Sequence, residues 1–487
     1  MPYARLAAVT DVDPSHPHGV ATPDPGPALT ADDLLALTGG RLVSRSARPI
    51  RGGAVDSRLV TPGRLFVALP GERTDGHAHV ADAIARGAAA VLVTRPIPEP
   101  DPGTDVTIIR VPDALAALGA VAAGWRRRFD PVVIGITGSI AKTSTKEAVA
   151  AVVARHFTTL RTEGNRNNEV GLPLTVLDLG PEHEAAVLEM GMYVGGEIAD
   201  LARIGRPSIG VVTAVQAVHL SRIGSLAAIE AAKGELLEAL PSDGTAILNA
   251  DDPIVRGMGA RTSARTLTYG FADDADIGAE GVTSAGLDGM AFTLRLPDGR
   301  FAATVPSLGP LSVHNGVAAA AVGVAAGLST DEILEGLRGG WSAPHRVQLV
   351  RAGGVTLVDD TYNASPGSVV AALDVLAGLP GRRIAVLGEM LELGEGHESG
   401  HRAVGEAAAA TVDRLIVIGD GATGIAEGAG DAGLDPSRIT FVGDSEAAFD
   451  FLRHRLREGD VVLVKASRGI ELDLLVEALA TELGPAT

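Results

Sequence analysis

The chain has no cysteine in its 487 residues, which excludes disulfide frameworks, thiolate-bound zinc and thiol nucleophiles. Aromatic side chains are scarce at 3%, so the cores are expected to be built from small aliphatic residues, as in tightly packed α/β layers. No run approaches the roughly 20 apolar residues of a membrane span. The opening residues, MPYARLAAVTDVDPSHPHG, lack the apolar centre of a secretory signal. A cytoplasmic location is the expectation. Basic residues are outnumbered, 41 Lys and Arg against 60 Asp and Glu, for a net charge of −19. An acidic chain repels phosphate backbones, which argues against a nucleic-acid partner. It is compatible with a monomer and leaves room for a local basic pocket that takes a nucleotide. What is plentiful is apolar residue, 46% of the chain, enough for several cores. The length suggests three domains at roughly 150 residues each.

Residues 131–147, PVVIGITGSIAKTSTKE, organise the rest. A β-branched run, a small-residue turn, Lys142-Thr143 and then an Ala/Val segment to about Phe157 read as strand, turn and helix. That is the layout of a phosphate-binding loop, whose backbone N–H groups and helix N-terminus face an anion. Lys142 would place a charge on the outer phosphates, and Thr143 a hydroxyl on Mg²⁺. The loop is imperfect, with Ile136 and Ala141 where such loops carry glycine. Read alone, it is equally an ordinary strand–turn–helix.

In chain order, residues 1–27 are rich in Pro, Asp and His and read as a disordered tail, with a helix starting at Thr30. Residues 28–130 form a small α/β domain with a Pro-rich surface loop at 96–102. Its polar clusters Asp56-Ser57-Arg58 and Thr74-Asp75-Gly76-His77 sit at strand ends, where ligands bind in α/β sheets and where plain turn chemistry also puts such residues. Residues 131–340 alternate as a mostly parallel sheet, with strands at 132–136, 185–190, 208–214 and 245–249. A β-rich excursion at 260–307 has a hairpin turn at Asp298-Gly299. Residues 341–487 alternate regularly enough for a doubly wound domain, including a helix at 445–457.

Three residues sit where an ATPase would put them. Glu189 closes the apolar run AAVLEMG, His219 follows SIGVVTAV, and Lys233 lies in the helix SLAAIEAAKGELLEAL. Each has a plain alternative: a helix-capping carboxylate, a loop histidine and a solvated helix charge. The polar run 163–171 is either an exposed loop or a ligand wall.

Taken together and in order, the segments DSR with PGRLFVALPGERTDGH, TGSIAKTSTKE, GNRNNEVGLPLT, LEMGM, HLSRIGSLAAIEAAKGEL with LNADDP, HN before an Ala-rich helix, APHR, DDTYNASPGS, LGEML–ELG and KASRG resemble the Mur ligase family over about residues 28–480. GNRNNE and DDTYN resemble the dipeptide-adding member rather than those that add earlier residues, or folylpolyglutamate synthase. The resemblance implies an α/β fold in three domains: a small N-terminal UDP-sugar-binding domain, a central P-loop ATPase-like domain and a C-terminal Rossmann-like domain. It implies ATP-dependent phosphorylation of the terminal carboxylate of UDP-MurNAc-tripeptide, then attack by the amine of D-Ala-D-Ala on the acyl phosphate. Thr137, Gly138, Ser139, Ala141, Lys142, Thr143 and Ser144 would hold ATP, with Asn315, Arg346 and Asp360. Thr143 and Glu189 would hold one Mg²⁺, and His219 and a carbamoylated Lys233 a second. Lys142, His219 and Lys233 would be the catalytic residues. Ser57, Asn167, Asn168 and Glu169 match the UDP-sugar side, and Tyr362 and Asn363 the dipeptide side.

The chain departs from the family pattern at Ala141, Ser221, Ala318, Ser365 and Ala466. Ser365 would suit a ligase with a different amino-acid or dipeptide partner. Ala141 would suit a catalytically silent nucleotide-sugar-binding homologue.

Overall fold

The computed structural model describes residues 26–71, 74–98, 101, 103–216 and 225–485. The expected tail therefore lies outside the described residues except for its last two. Helix α1 (Ala31–Thr38) starts where the sequence places it, because Thr30 and Asp33 form a reciprocal capping box, and Gly39 ends it in a left-handed conformation. Strands β1 (Arg41–Ser44), β2 (Gly53–Ala54), β3 (Leu65–Val67), β4 (Ala90–Val93) and β5 (Thr107–Arg110) pair in the order β1-β5-β4-β3-β2. Only β1 runs antiparallel to its neighbour. Every residue of β4, AVLV, is buried, as the uninterrupted apolar run of a strand covered on both faces demands. Helices α2 (Val80–Ala85) and α3 (Ala114–Arg126) belong to this region; Asp113 caps α3 on Leu115 N and Ala116 N.

A second sheet holds β6 (Val132–Thr137), β7 (Thr159–Arg161), β8 (Ala185–Glu189), β9 (Ile209–Val212), β10 (Thr245–Asn249), β11 (Arg265–Gly270), β12 (Ile277–Ser284), β13 (Met290–Leu296) and β14 (Gly299–Val305). They pair in the order β14-β13-β12-β11-β10-β9-β6-β8-β7. From β7 to the first residues of β12 the pairing is parallel, and β13 and β14 form an antiparallel hairpin. The segment expected as an excursion thus continues the sheet. Its physical reason lies in β13, MAFTLRL, whose residues alternate between buried and half-exposed, the pattern of an antiparallel strand with one open face.

The last sheet contains β15 (Gln348–Ala352), β16 (Val355–Asp359), β17 (Arg382–Gly388), β18 (Arg414–Ile418), β19 (Ile439–Val442) and β20 (Asp460–Lys465), in the order β15-β16-β20-β17-β18-β19. All pairs are parallel except β15 with β16. The helix expected over 445–457 stops at Leu452, where a turn closed by Arg455 N on Leu452 O replaces it.

The chain divides into two compact units, one running to Gly278 and including Ala318–Ile333, the other comprising Ala279–Val317 and Leu334 onward. Within the first, Trp125 Nε1 donates to Leu179 O at 2.9 Å and Arg64 pairs with Asp178 at 3.1 Å. One apolar core there runs from Leu29 through Trp125 to Leu236. No described helix is long and apolar enough to cross a membrane.

Candidate active site

Strand β6 lies between β8 and β9, and its C-terminal end feeds the turn 138–141 and then helix α4 (Lys142–Val153). Gly138 has φ 154°, and a Cβ there would fall 1.9 Å from Thr213 Oγ1, so only glycine fits. The turn is tied to the chain after β9: Ser139 N donates to Ala214 O at 2.7 Å, and Thr213 Oγ1 to Ile140 O at 2.6 Å. Ala141 occupies the N-cap of α4 at φ 63°, left-handed and without a side-chain cap. A Cβ disfavours this conformation, so the alanine burdens the backbone here. Lys142 folds back on the turn, its Nζ donating to Gly138 O at 2.8 Å. An α-helix N-terminus and an ammonium thus converge where a phosphate would sit.

Glu189 ends β8 and is 1% exposed. Its Oε1 accepts from Thr143 Oγ1 at 3.2 Å and from Asn167 Nδ2 at 2.7 Å. These partners are side chains, which removes the helix-capping reading. Its Oε2 is buried and has no hydrogen-bond partner among the described residues. A buried bare carboxylate oxygen is costly unless a cation meets it. The residues therefore fit a hard divalent ion, for which Thr143 supplies a neighbouring hydroxyl. Among the described residues no group of three His, Asp or Glu is clustered to hold a metal. His219 and Ser221 lie outside the described residues.

Lys233 lies on the helix Leu226–Glu238 and is 3% exposed, with no ion pair among the described residues. This removes the reading as a solvated charge. Burial, and then the nearby charge of Lys142, pull its ammonium down to about 7. A cavity of about 180 Å³ brings together Gly138, Ser139, Lys142, Asn167, Asn168, Glu169 and Lys233. The run 163–171 is thus in part a wall of this cavity. Asn168 also has a local duty, its Oδ1 accepting from Gly171 N at 2.9 Å at the start of α5 (Gly171–Leu177). Tyr193, Glu197 and Asp200 line the same cavity and were not anticipated. Their only signal is position, just beyond the strand that carries Glu189.

Ser57 is buried, and its hydroxyl bonds Asp82, whose carboxyl it helps hold below the usual range. The two polar clusters near it act as turn caps: Asp56 accepts from Arg58 N, and Asp75 from His77 N, both at 2.9 Å.

In the second unit, Arg346 lies with its guanidinium carbon 3.9 Å from the centroid of the Tyr362 ring. Asp360 is buried, 2.7 Å from Lys465 Nζ; burial pushes its carboxyl up against the pull of that lysine. Lys465 also donates to Asn363 O at 2.7 Å. It went unassigned in the sequence, although KASRG carries it. Asn315 is buried in the helix Pro310–Ala325.

The three family models that match the chain are all Mur ligase domains. The chain matches the Mur ligase family catalytic domain over residues 49–126, the Mur ligase middle domain over 136–323 and the Mur ligase glutamate ligase domain over 345–468. It is 38% identical to the UDP-N-acetylmuramoyl-tripeptide–D-alanyl-D-alanine ligase of Escherichia coli K12, covering 93% of this chain and 98% of that protein. The crystal structure of MurF from Acinetobacter baumannii superposes with TM-score 0.85 at 29% identity, over 94% of this chain and 100% of the other. MurF ligase from Thermotoga maritima, solved in complex with ADP, superposes with TM-score 0.76 at 29% identity, over 89% and 98%.

Proposed function

This chain belongs to the Mur ligase family, and from that premise we propose that it joins D-alanyl-D-alanine to UDP-N-acetylmuramoyl-tripeptide, driven by ATP. The observation that carries the reading is the single cavity into which the phosphate loop, Lys233 and the wall 167–169 all open. A carboxylate is a poor electrophile, and phosphorylation gives it a leaving group that the dipeptide amine displaces. Moving a phosphoryl group between two anions requires positive charge at the transferring oxygens. Lys142 and the N-terminus of α4 supply it; a bound phosphate would draw the ammonium off Gly138 O. Asn167 and Thr143 hold Glu189 in one orientation through its Oε1.

Mg²⁺ fits the bare Oε2 of Glu189 and the hydroxyl of Thr143, and when bound it neutralises charge on the nucleotide phosphates. An amine titrating near 7 is largely neutral above that pH. Neutral Lys233 can therefore add CO₂, releasing one proton and leaving a carbamate. That change from cation to anion would complete a second cation site with His219. Asn315, Arg346 and Asp360 are assigned to the nucleotide, Ser57, Asn167, Asn168 and Glu169 to the UDP-sugar side, and Tyr362 and Asn363 to the dipeptide. Residues 28–130, 131–340 and 341–487 are assigned as UDP-sugar, ATP and ligase domains.

Phosphate release with ATP, Mg²⁺ and UDP-MurNAc-tripeptide, measured with and without D-Ala-D-Ala, tests the reading. Dipeptide-dependent release with a pentapeptide product by mass is the expected result. Release only with other amines would point to a different partner, and binding of both substrates without release to a silent homologue. Loss of activity in CO₂-depleted buffer, restored by bicarbonate, would separate the carbamate from a plain lysine.

A further inference from the structure

We propose that His345 is a positioning residue for Arg346: its imidazole, clamped on Asp359, holds the left-handed backbone that lays Arg346 over the Tyr362 ring. This rests on the assignment of Arg346 to the nucleotide. His345 has φ 59° and Val347 φ 51°, so Arg346 sits between two non-glycine residues in a region that side chains avoid, β-branched ones most of all. Such a conformation persists only where the surroundings over-determine it. Here they do. Gln348 Oε1 accepts from His345 N at 3.2 Å, His345 O from Tyr362 N at 3.0 Å, and Asp360 Oδ1 from Val347 N at 3.3 Å. His345 Nδ1 lies 2.8 Å from Asp359 Oδ2. Asp359 is itself fixed, its Oδ1 accepting from Thr361 N at 3.1 Å and Thr361 Oγ1 at 2.7 Å. The imidazole bond therefore ties the two open ends of the β15–β16 hairpin, the turn at 345–347 and the strand end at 359–361, and the Arg346–Tyr362 stack bridges the same two ends.

The clamp involves a group that can change charge. The bond to Asp359 raises the imidazole above its usual range, against burial; Asp473 adds to this and Arg468 opposes it. Arg346 and the Asp360–Lys465 pair are the other charged groups on the segment. An imidazolium donates to a carboxylate with charge assistance, and a neutral ring does so more weakly. Nucleotide affinity should therefore weaken as pH rises through the raised value. A merely strained turn residue would behave otherwise, since glycine would serve it better.

The test measures KM and Kd for ATP, with kcat and thermal unfolding, at about pH 6.5 and about pH 8.5. Wild type should lose about threefold in ATP affinity between the two. His345→Gly should raise KM for ATP about tenfold at both pH values, with kcat changing less. His345→Asn places an amide N–H where Nδ1 stood and tolerates a left-handed backbone. It should lie between the two and show no pH dependence. A His345→Gly protein with KM within about twofold of wild type and a higher melting temperature would overturn the proposal, as would a pH dependence retained in His345→Asn. Arg346→Ala separates the two failures. If it leaves ATP affinity unchanged, the nucleotide assignment falls and takes the proposal with it. If it weakens ATP while His345→Gly does not, only the proposal falls.

Discussion

Ala141 and His345 adopt the same left-handed backbone, at φ 63° and 59°, each beside a basic residue assigned to the nucleotide. Their side chains do opposite things. The methyl of Ala141 can make no hydrogen bond, and its helix has no side-chain cap. The turn is held instead by its neighbours, through Thr213 Oγ1 on Ile140 O and Thr145 N on Ala141 O. His345 bonds Asp359 with its own ring. In the phosphate loop the conformation is needed and the residue is incidental. In the segment 345–347 the residue is part of what maintains the conformation. A positive φ on a non-glycine residue is therefore not one signal but two, told apart by what the side chain touches.

The largest test of that contrast is Lys142→Ala. If the phosphate loop is where charge is neutralised, this change should lower kcat by roughly 10³-fold, about 4 kcal/mol in the barrier. Arg346→Ala should act mainly on ATP affinity, by about tenfold. Steady-state kinetics with ATP varied would show it, and the reverse ranking would mean that the chemistry is run from the second region.

Lys233→Met comes next, read by urea unfolding in CO₂-depleted buffer. The folded value, about 7, lies below the 10.5 of an ordinary solvated lysine. Between these the unfolded chain binds more protons, so stability rises with pH. Below about pH 7 lysine is charged in both states and its burial cost is fully present, at most about 5 kcal/mol. Methionine should therefore stabilise most below pH 7, with the gain fading toward pH 10.5. A gain independent of pH would mean that Lys233 is solvated when folded.

Much of the first region was legible in the sequence and much of the second was not, for physical reasons. The runs that became β6, β8, β9 and β10 are nearly continuous apolar stretches, since parallel strands are covered on both faces. Glu189 could be placed at a strand end because strand ends are where such runs stop. Its partner Asn167 could not be named, since residues 22 apart meet only through the folded sheet. Strand β15 was missed because it is half-exposed almost throughout, without an apolar run. The helix Asp473–Leu483 buries Leu475, Val476 and Leu479 at helical spacing, so its signal was present and unread. The left-handed turns at His345 and Val347 had none. Histidine is only relatively enriched in that conformation and valine avoids it, so tertiary hydrogen bonds impose it.

The smallest effect makes the sharpest comparison. Ala141→Gly relieves a left-handed alanine, worth roughly 1–2 kcal/mol, and gives the unfolded chain more freedom, which costs about 0.5–1 kcal/mol. The net gain should be about 0.5 kcal/mol, a rise of about 1–2 °C in melting temperature. With no methyl beside the phosphate position, KM for ATP should fall, by about twofold. His345→Gly receives the same backbone relief and loses the bond to Asp359, so its KM for ATP should move the other way. Scanning calorimetry and ATP titrations on the two variants side by side give two signs. If both lower KM, both residues are merely strained and the contrast between the regions disappears. If Ala141→Gly raises KM, the methyl packs against the bound nucleotide, and the alanine is as much a part of its site as the histidine is of the other.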